Sequence, residues 1–243
     1  MGAWTVLLAL VAAAGQGDLS GRTVVLDPGH NGRNGAHPEI INRQVAIGGG
    51  RYKACNTTGT ATASGYTEAR FTLSVARSAA RILRREGAEV VLTRRDNGGV
   101  GPCIDRRARI GNRARADAVV SIHADGGPAG GRGFHVIRPS WIEGLTDDIH
   151  DESRRLGRAL RAAYEARTRL PRATYLGGHG LVARSDLGGL RLSDVPAVFI
   201  ETANMRNATD AARVRSPRFR RRIARGIADG VRRYLLAQPS PSR

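Results

Sequence analysis

Short apolar runs and helically spaced apolar stripes alternate along most of this 243-residue chain. Residues 23–27 (TVVLD) form an apolar run bounded by turn residues, the pattern of a strand buried on both faces. Phe71, Val75, Ala79 and Ile82/Leu83 recur at the helical period, and Gly87 marks the stop. Residues 88–93 predict a second strand, 104–116 a basic helix, 118–122 a third strand, and 133–137 alternate like a fourth. Residues 147–167 predict a charged helix and 196–200 a short apolar strand. Phe219, Ile223, Ile227, Val231 and Leu235 then line one side of a last helix. Such alternation predicts an α/β fold, a single-domain mixed sheet with helices on both faces. Residues 29–66 are rich in Gly, Asn and Thr and too long for an inert connection, which predicts a functional or disulfide-pinned loop.

Composition narrows the setting. Hydrophobic residues make up 41% of the chain, and at this length a domain buries roughly 70–75% of its unfolded surface, so it needs no partner merely to fold. The net charge of +18 demands anionic surroundings. Lys53 is the only lysine, so every other basic side chain is an arginine. The charge runs from Arg22 to Arg243 rather than in one stripe, and aromatics, at 5%, are thin for base stacking. Anionic cell-envelope polymers therefore suit it better than nucleic acid. Residues 1–14 are apolar and end in three alanines, like a signal-peptide core and cleavage site, although no Lys or Arg stands near Met1. That run is too short to span a bilayer, and no later one is long enough. The expected organisation is a signal peptide or N-terminal extension over 1–20, one catalytic-type domain over 21–237 and a flexible tail over 238–243. Cys55 and Cys103 are the only cysteines. In an oxidising compartment they would pair, closing a loop worth roughly 4 kcal/mol; otherwise they are two unrelated thiols.

His30 follows the first strand, His123 ends the third and Glu201 ends the strand over 196–200. Ligands in open α/β sheets bind outside the carboxyl ends of strands, so these three suggest a metal site or an acid–base site. Glu68 opens the first long helix behind Thr67, a suitable N-cap. Singly, each histidine reads as a hydrogen-bonded turn residue and Glu68 as a complement to the helix dipole. Together, two His and one carboxylate are the ligand count of a catalytic zinc with an open position, and a further carboxylate is what moving a proton requires.

Five segments also carry a family resemblance: residues 24–30 (VVLDPGH), Glu68 with its helix, 92–96 (LTRRD), 121–124 (SIHA) and 196–202 (PAVFIET). In this order they resemble the motifs of zinc-dependent N-acetylmuramoyl-L-alanine amidases of the family-3 type, from Arg22 to the last helix. The short actinobacterial members are the nearest in form. The resemblance implies a phosphorylase/hydrolase-like fold, zinc held by His30, Glu68 and His123, Glu201 as the catalytic carboxylate, and a Cys55–Cys103 disulfide. The implied reaction is hydrolysis of the amide between the N-acetylmuramic acid lactyl group and L-alanine of peptidoglycan, in wall remodelling, autolysis or daughter-cell separation. The implied form is an exported monomer of the periplasm or cell wall, acting on peptidoglycan or muropeptides without a transmembrane anchor. Arg184 and Asp186 are candidates for binding peptide carboxylates or for a plain ion pair, and Asn204 for lining the cleft. His179 reads as a solvated loop residue, His37, His135 and His150 as structural or surface residues, and Asp27 as orienting the turn or a ligand histidine. Ala203 departs from the glycine frequent in the family.

Overall fold

Alternation along the strands sorts side chains onto two faces of one sheet. The computed structural model describes residues 18–177 and 179–239. In chain order the elements are β1 (Thr23–Pro28), a 3-10 turn (Asn34–Ala36), α1 (Pro38–Ile41), β2 (Gln44–Ala46), β3 (Tyr52–Ala54), α2 (Glu68–Arg85), β4 (Glu89–Leu92) and α3 (Ile104–Arg113). They continue with β5 (Ala118–Asp125), β6 (His135–Pro139), α4 (His150–Thr168), β7 (Leu181–Arg184), α5 (Gly188–Arg191), β8 (Ala197–Asn204), α6 (Ala208–Arg215) and α7 (Pro217–Leu236). Six strands make the main sheet in the order β4-β1-β5-β8-β6-β7, and β2 and β3 form a separate hairpin. The first four of that order run parallel, β6 is antiparallel to β8, and β7 is parallel to β6. The sheet is therefore mixed, as expected.

Val24, Leu26, Val120, Ile122, Val198 and Ile200 face the larger core with apolar residues of α2, α4 and α7. α2 and α4 lie on that face and α7 packs against both. The alternate positions, Val119, Ala197 and Phe199 with Ile137 and Leu190, form a smaller cluster toward α3 and α5. That second face is thinly covered, because α5 is only four residues long. The site lies in the space left there.

α2 starts as expected, with the Thr67 hydroxyl accepting from Arg70 N, which places Glu68 at the first helical position. β5 and β8 each run past their predicted ends, so His123 and Glu201 lie within paired strands rather than beyond them. Residues 29–66 hold the 3-10 turn, α1 and the hairpin; Cys55 and Cys103 are joined, pinning the loop to the start of α3. Leu19, inside the expected extension, is fully buried and its N–H donates to Glu86 O, so the packed domain includes it. The Gln238 and Pro239 carbonyls accept from Arg22, which ties down the start of the expected tail. The remaining signal-segment and tail expectations, on residues 1–17 and 240–243, lie outside the described residues.

Candidate metal centre

Residues 28–30 leave β1 in a turn that puts His30 at φ +57. For a residue with a Cβ that conformation costs roughly 1–2 kcal/mol, so something must hold it. Two buried arginines do. Arg94 donates to Pro28 O (3.0 Å) and Gly29 O (2.9 Å), while Arg107 donates to Pro28 O and His30 O (both 2.8 Å). Every carbonyl of the turn is thus gripped by a guanidinium. Arg107 is in turn paired with Asp27 at 2.5 Å, and Asp27 also accepts from Thr93 (2.5 Å) and Ser121 (2.6 Å). Burial alone would raise the Asp27 carboxyl, but Arg107 and the two hydroxyls outweigh it and bring the pKa down to about 2. Asp27 orients the turn through Arg107.

The buried pair has a pH signature. A carboxyl depressed from 3.8 to about 2 contributes stability that is complete above its ordinary value and disappears as pH falls toward 2. Arg107→Met is expected to cost about 3–5 kcal/mol at neutral pH by leaving a buried carboxylate unpaired. The deficit relative to wild type should shrink as pH falls from 3.8 toward about 2, the window over which wild type loses this contribution. Denaturant midpoints across that range check both the size and the sign.

Glu68 joins the two histidines. Its Oε2 lies 3.1 Å from His30 Nε2 and accepts from Thr60 N at 2.9 Å. Its Oε1 lies 2.9 Å from His123 Nδ1 and accepts from Ala124 N at 3.1 Å. Burial opposes its ionisation, yet His30 and His123 hold the carboxyl far below the usual carboxylate range. For His30, burial is outweighed by Glu68 and the net shift is upward; for His123 burial dominates and the shift is downward.

His30 Nδ1 lies 3.0 Å from Thr57 O, an acceptor, which keeps a proton on Nδ1 and leaves Nε2 as the nitrogen turned toward Glu68. The His123 ring stacks on Phe199 with centroids 3.9 Å apart and meets the His30 ring edge-on at 4.8 Å. One ligand-type atom from each of His30, Glu68 and His123 falls within 4.8 Å of the others. The donor set suits zinc: two imidazole nitrogens and one ionised carboxylate, with neither cysteine free to compete. Gly29 permits the arrangement, since a Cβ there would lie 2.2 Å from His123 Cε1.

Glu201 is the register partner of His123 on the neighbouring strand. Its Oε2 is enclosed and has no hydrogen-bond partner. Burial, then Glu68 and Asp125, push its pKa well above the usual range, with Arg184 opposing. The result is a carboxyl ready to hold a proton beside the histidine–glutamate cluster. A cavity of about 400 Å³ opens from this centre along the sheet, floored by Val119, Ala197 and Phe199 and walled by Ile104, Leu187 and Leu190.

Other expected residues fall elsewhere. Arg184 and Asp186 form an exposed bidentate pair (2.8 and 2.6 Å), joined by Lys53. Asn204, expected to line the cleft, is fully buried instead. Its amide donates to Pro128 O and Gly131 O (2.8 Å each) and its oxygen accepts from Arg206 N, so it holds the loop after β5. His179 is exposed, His37 and His150 pair with Glu39 and Asp151, and His135 is buried. Sequence reasoning passed over Arg94, Arg107 and the Tyr175–Asp125 hydrogen bond (2.9 Å). The LTRRD segment and the place of Asp125 two residues after His123 were the available signals.

A mixed α/β sheet with a histidine–glutamate–histidine cluster and a further, half-buried carboxyl group at its strand ends defines a hydrolase-type enzyme domain. The profile described as N-acetylmuramoyl-L-alanine amidase (Amidase_3) matches residues 24–233. The N-acetylmuramoyl-L-alanine amidase Rv3717 of Mycobacterium tuberculosis is 39% identical, over 93% of this chain and 92% of its own. The crystal structure of the amidase Ami1 from Mycobacterium smegmatis superposes with a TM-score of 0.84 at 39% identity, covering 90% of this chain and 99% of that one. Apo Ami1 from Mycobacterium abscessus gives 0.83 at 44% identity over 89% and 99%. The chain belongs to the N-acetylmuramoyl-L-alanine amidase family.

Proposed function

We propose that this protein is an exported, zinc-dependent amidase that cleaves the bond between the muramic lactyl carbonyl and L-alanine of peptidoglycan. The observation that carries the reading is the convergence of His30 Nε2 and His123 Nδ1 on Glu68, with the unpartnered Glu201 carboxyl beside them. His30, Glu68 and His123 would hold the metal. Bound there, zinc supplies Lewis acidity to a water and to the scissile carbonyl. Glu201 accepts the proton of the attacking water and returns it to the departing L-alanine nitrogen. Its raised pKa favours holding that proton between the two steps. Thr60 N, Ala124 N and Thr57 O keep the ligand side chains from turning away.

The net charge of +18 fits work among anionic wall polymers, and no helix among the described residues is long and apolar enough to cross a membrane. Digestion of purified peptidoglycan tests the reading. Intact stem peptides with a free L-alanine amine are expected, abolished by a chelator and restored by zinc. Cleavage within the stem peptide, or chelator-resistant turnover, would overturn it.

A further inference from the structure

The cavity beside Glu201 is short of available positive charge. Four carboxylates line it, Asp27, Glu68, Asp125 and Glu201, against two cations, Arg107 and Lys53. Arg107 is saturated: it donates to Asp27 and to the carbonyls of Pro28, His30, Gly101 and Pro102. That leaves Lys53 as the one lining cation with capacity for a ligand. Its Nζ donates to Asp186 O at 2.8 Å and lies 3.4 Å from Asp186 Oδ2, so one of its three N–H groups has no protein acceptor. Its side chain is 41% exposed, open to a ligand entering the cavity.

The surroundings hold it in place. Asp186 is gripped by the Arg184 fork, so these three residues together carry one net positive charge. The hairpin bearing Lys53 is tied to α5 by Arg191, which donates to Ile47 O (2.8 Å) and Gly48 O (3.0 Å). Lys53 is thus a positioned cation in a cavity whose other charged side chains, the saturated Arg107 apart, are acids.

We propose that Lys53, steadied by Asp186, recognises a carboxylate of the stem peptide, namely the free α-carboxylate of the residue that follows L-alanine. The proposal rests on the amidase reading and names what that site selects. In stem peptides this residue is D-glutamate joined onward through its γ-carbonyl, so its α-group is either a free carboxylate or an amide. A free carboxylate gains a charge-assisted hydrogen bond from Lys53 and offsets the repulsion of the acidic lining; an amide brings no charge to match.

The test compares two N-acetylmuramoyl tripeptides, with D-glutamate or D-isoglutamine at the second position, using the zinc-loaded enzyme. Wild type is expected to favour the carboxylate substrate by about tenfold in kcat/KM, through KM, with the preference shrinking as salt is raised. Lys53→Met should bring the ratio near one, and Lys53→Arg should keep most of it. A wild-type ratio near one or favouring the amide overturns the proposal, as does an unchanged ratio in Lys53→Met. Cleavage of neither tripeptide would instead sink the amidase reading, so the two failures are distinct.

Discussion

Glu201→Gln is expected to retain zinc and lose turnover by about 10²–10⁴-fold on purified peptidoglycan. The amide keeps the shape of the carboxyl but can neither accept nor return the proton. His30, Glu68 and His123 are untouched, so metal content measured on the purified variant should match wild type. Stability should move the other way. A carboxyl whose folded pKa is raised favours the native state below its unfolded value of about 4.5, and this contribution is lost as pH rises. At neutral pH Glu201 is therefore a burden on the metal-free fold, and its amide should unfold no earlier. A variant that still released stem peptides at the wild-type rate would remove Glu201 from the reaction.

Gly29→Ala should abolish activity by a different route, through the metal. A Cβ at residue 29 would lie 2.2 to 2.6 Å from three atoms of the His123 ring. The ring cannot retreat, because its other face stacks on Phe199 at 3.9 Å. It must therefore turn away from Glu68, or the turn must shift and carry His30 with it. A displacement of about 1 Å at such a centre costs around 10²-fold in rate, and the overpacking itself about 1–3 kcal/mol of stability. Zinc titration of the metal-free variant gives the reading: affinity should fall sharply alongside activity, approaching that of His123→Ala. Wild-type zinc affinity in Gly29→Ala would show that the close approach has no functional weight.

Much of this architecture was legible along the chain because it depends on local pattern. The runs that became β1, β4, β5 and β8, and the stripes of α2 and α7, carry their periodicities openly. Besides the 3-10 turn, α1 and the hairpin within the 29–66 loop, three elements did not. β7 is an edge strand whose half-buried and exposed residues show no alternation. α5, with sequence GGLR, contradicts helix propensity and stands because Leu190 is buried and Arg191 reaches the hairpin carbonyls. α6 has only a weak apolar stripe and takes its start from the Asn207 cap. The expectation for Asn204 failed for a related reason. Nearness in sequence to Glu201 does not say which side of the strand a residue faces, and β8 turns Asn204 into the loop contacts behind it.

What the sequence determined by itself was the kind of each long element and the residue types able to bind a metal and move a proton, since both are written in local spacing and side-chain chemistry. Only the tertiary structure decided that β6 runs against β8, that Arg94 and Arg107 clamp the turn bearing His30, that Gly29 must lack a side chain to admit His123, and that Lys53 stands on the cavity wall. Each of these joins residues far apart in the chain, and such contacts are chosen by packing and charge balance in the assembled fold rather than by any neighbouring residue.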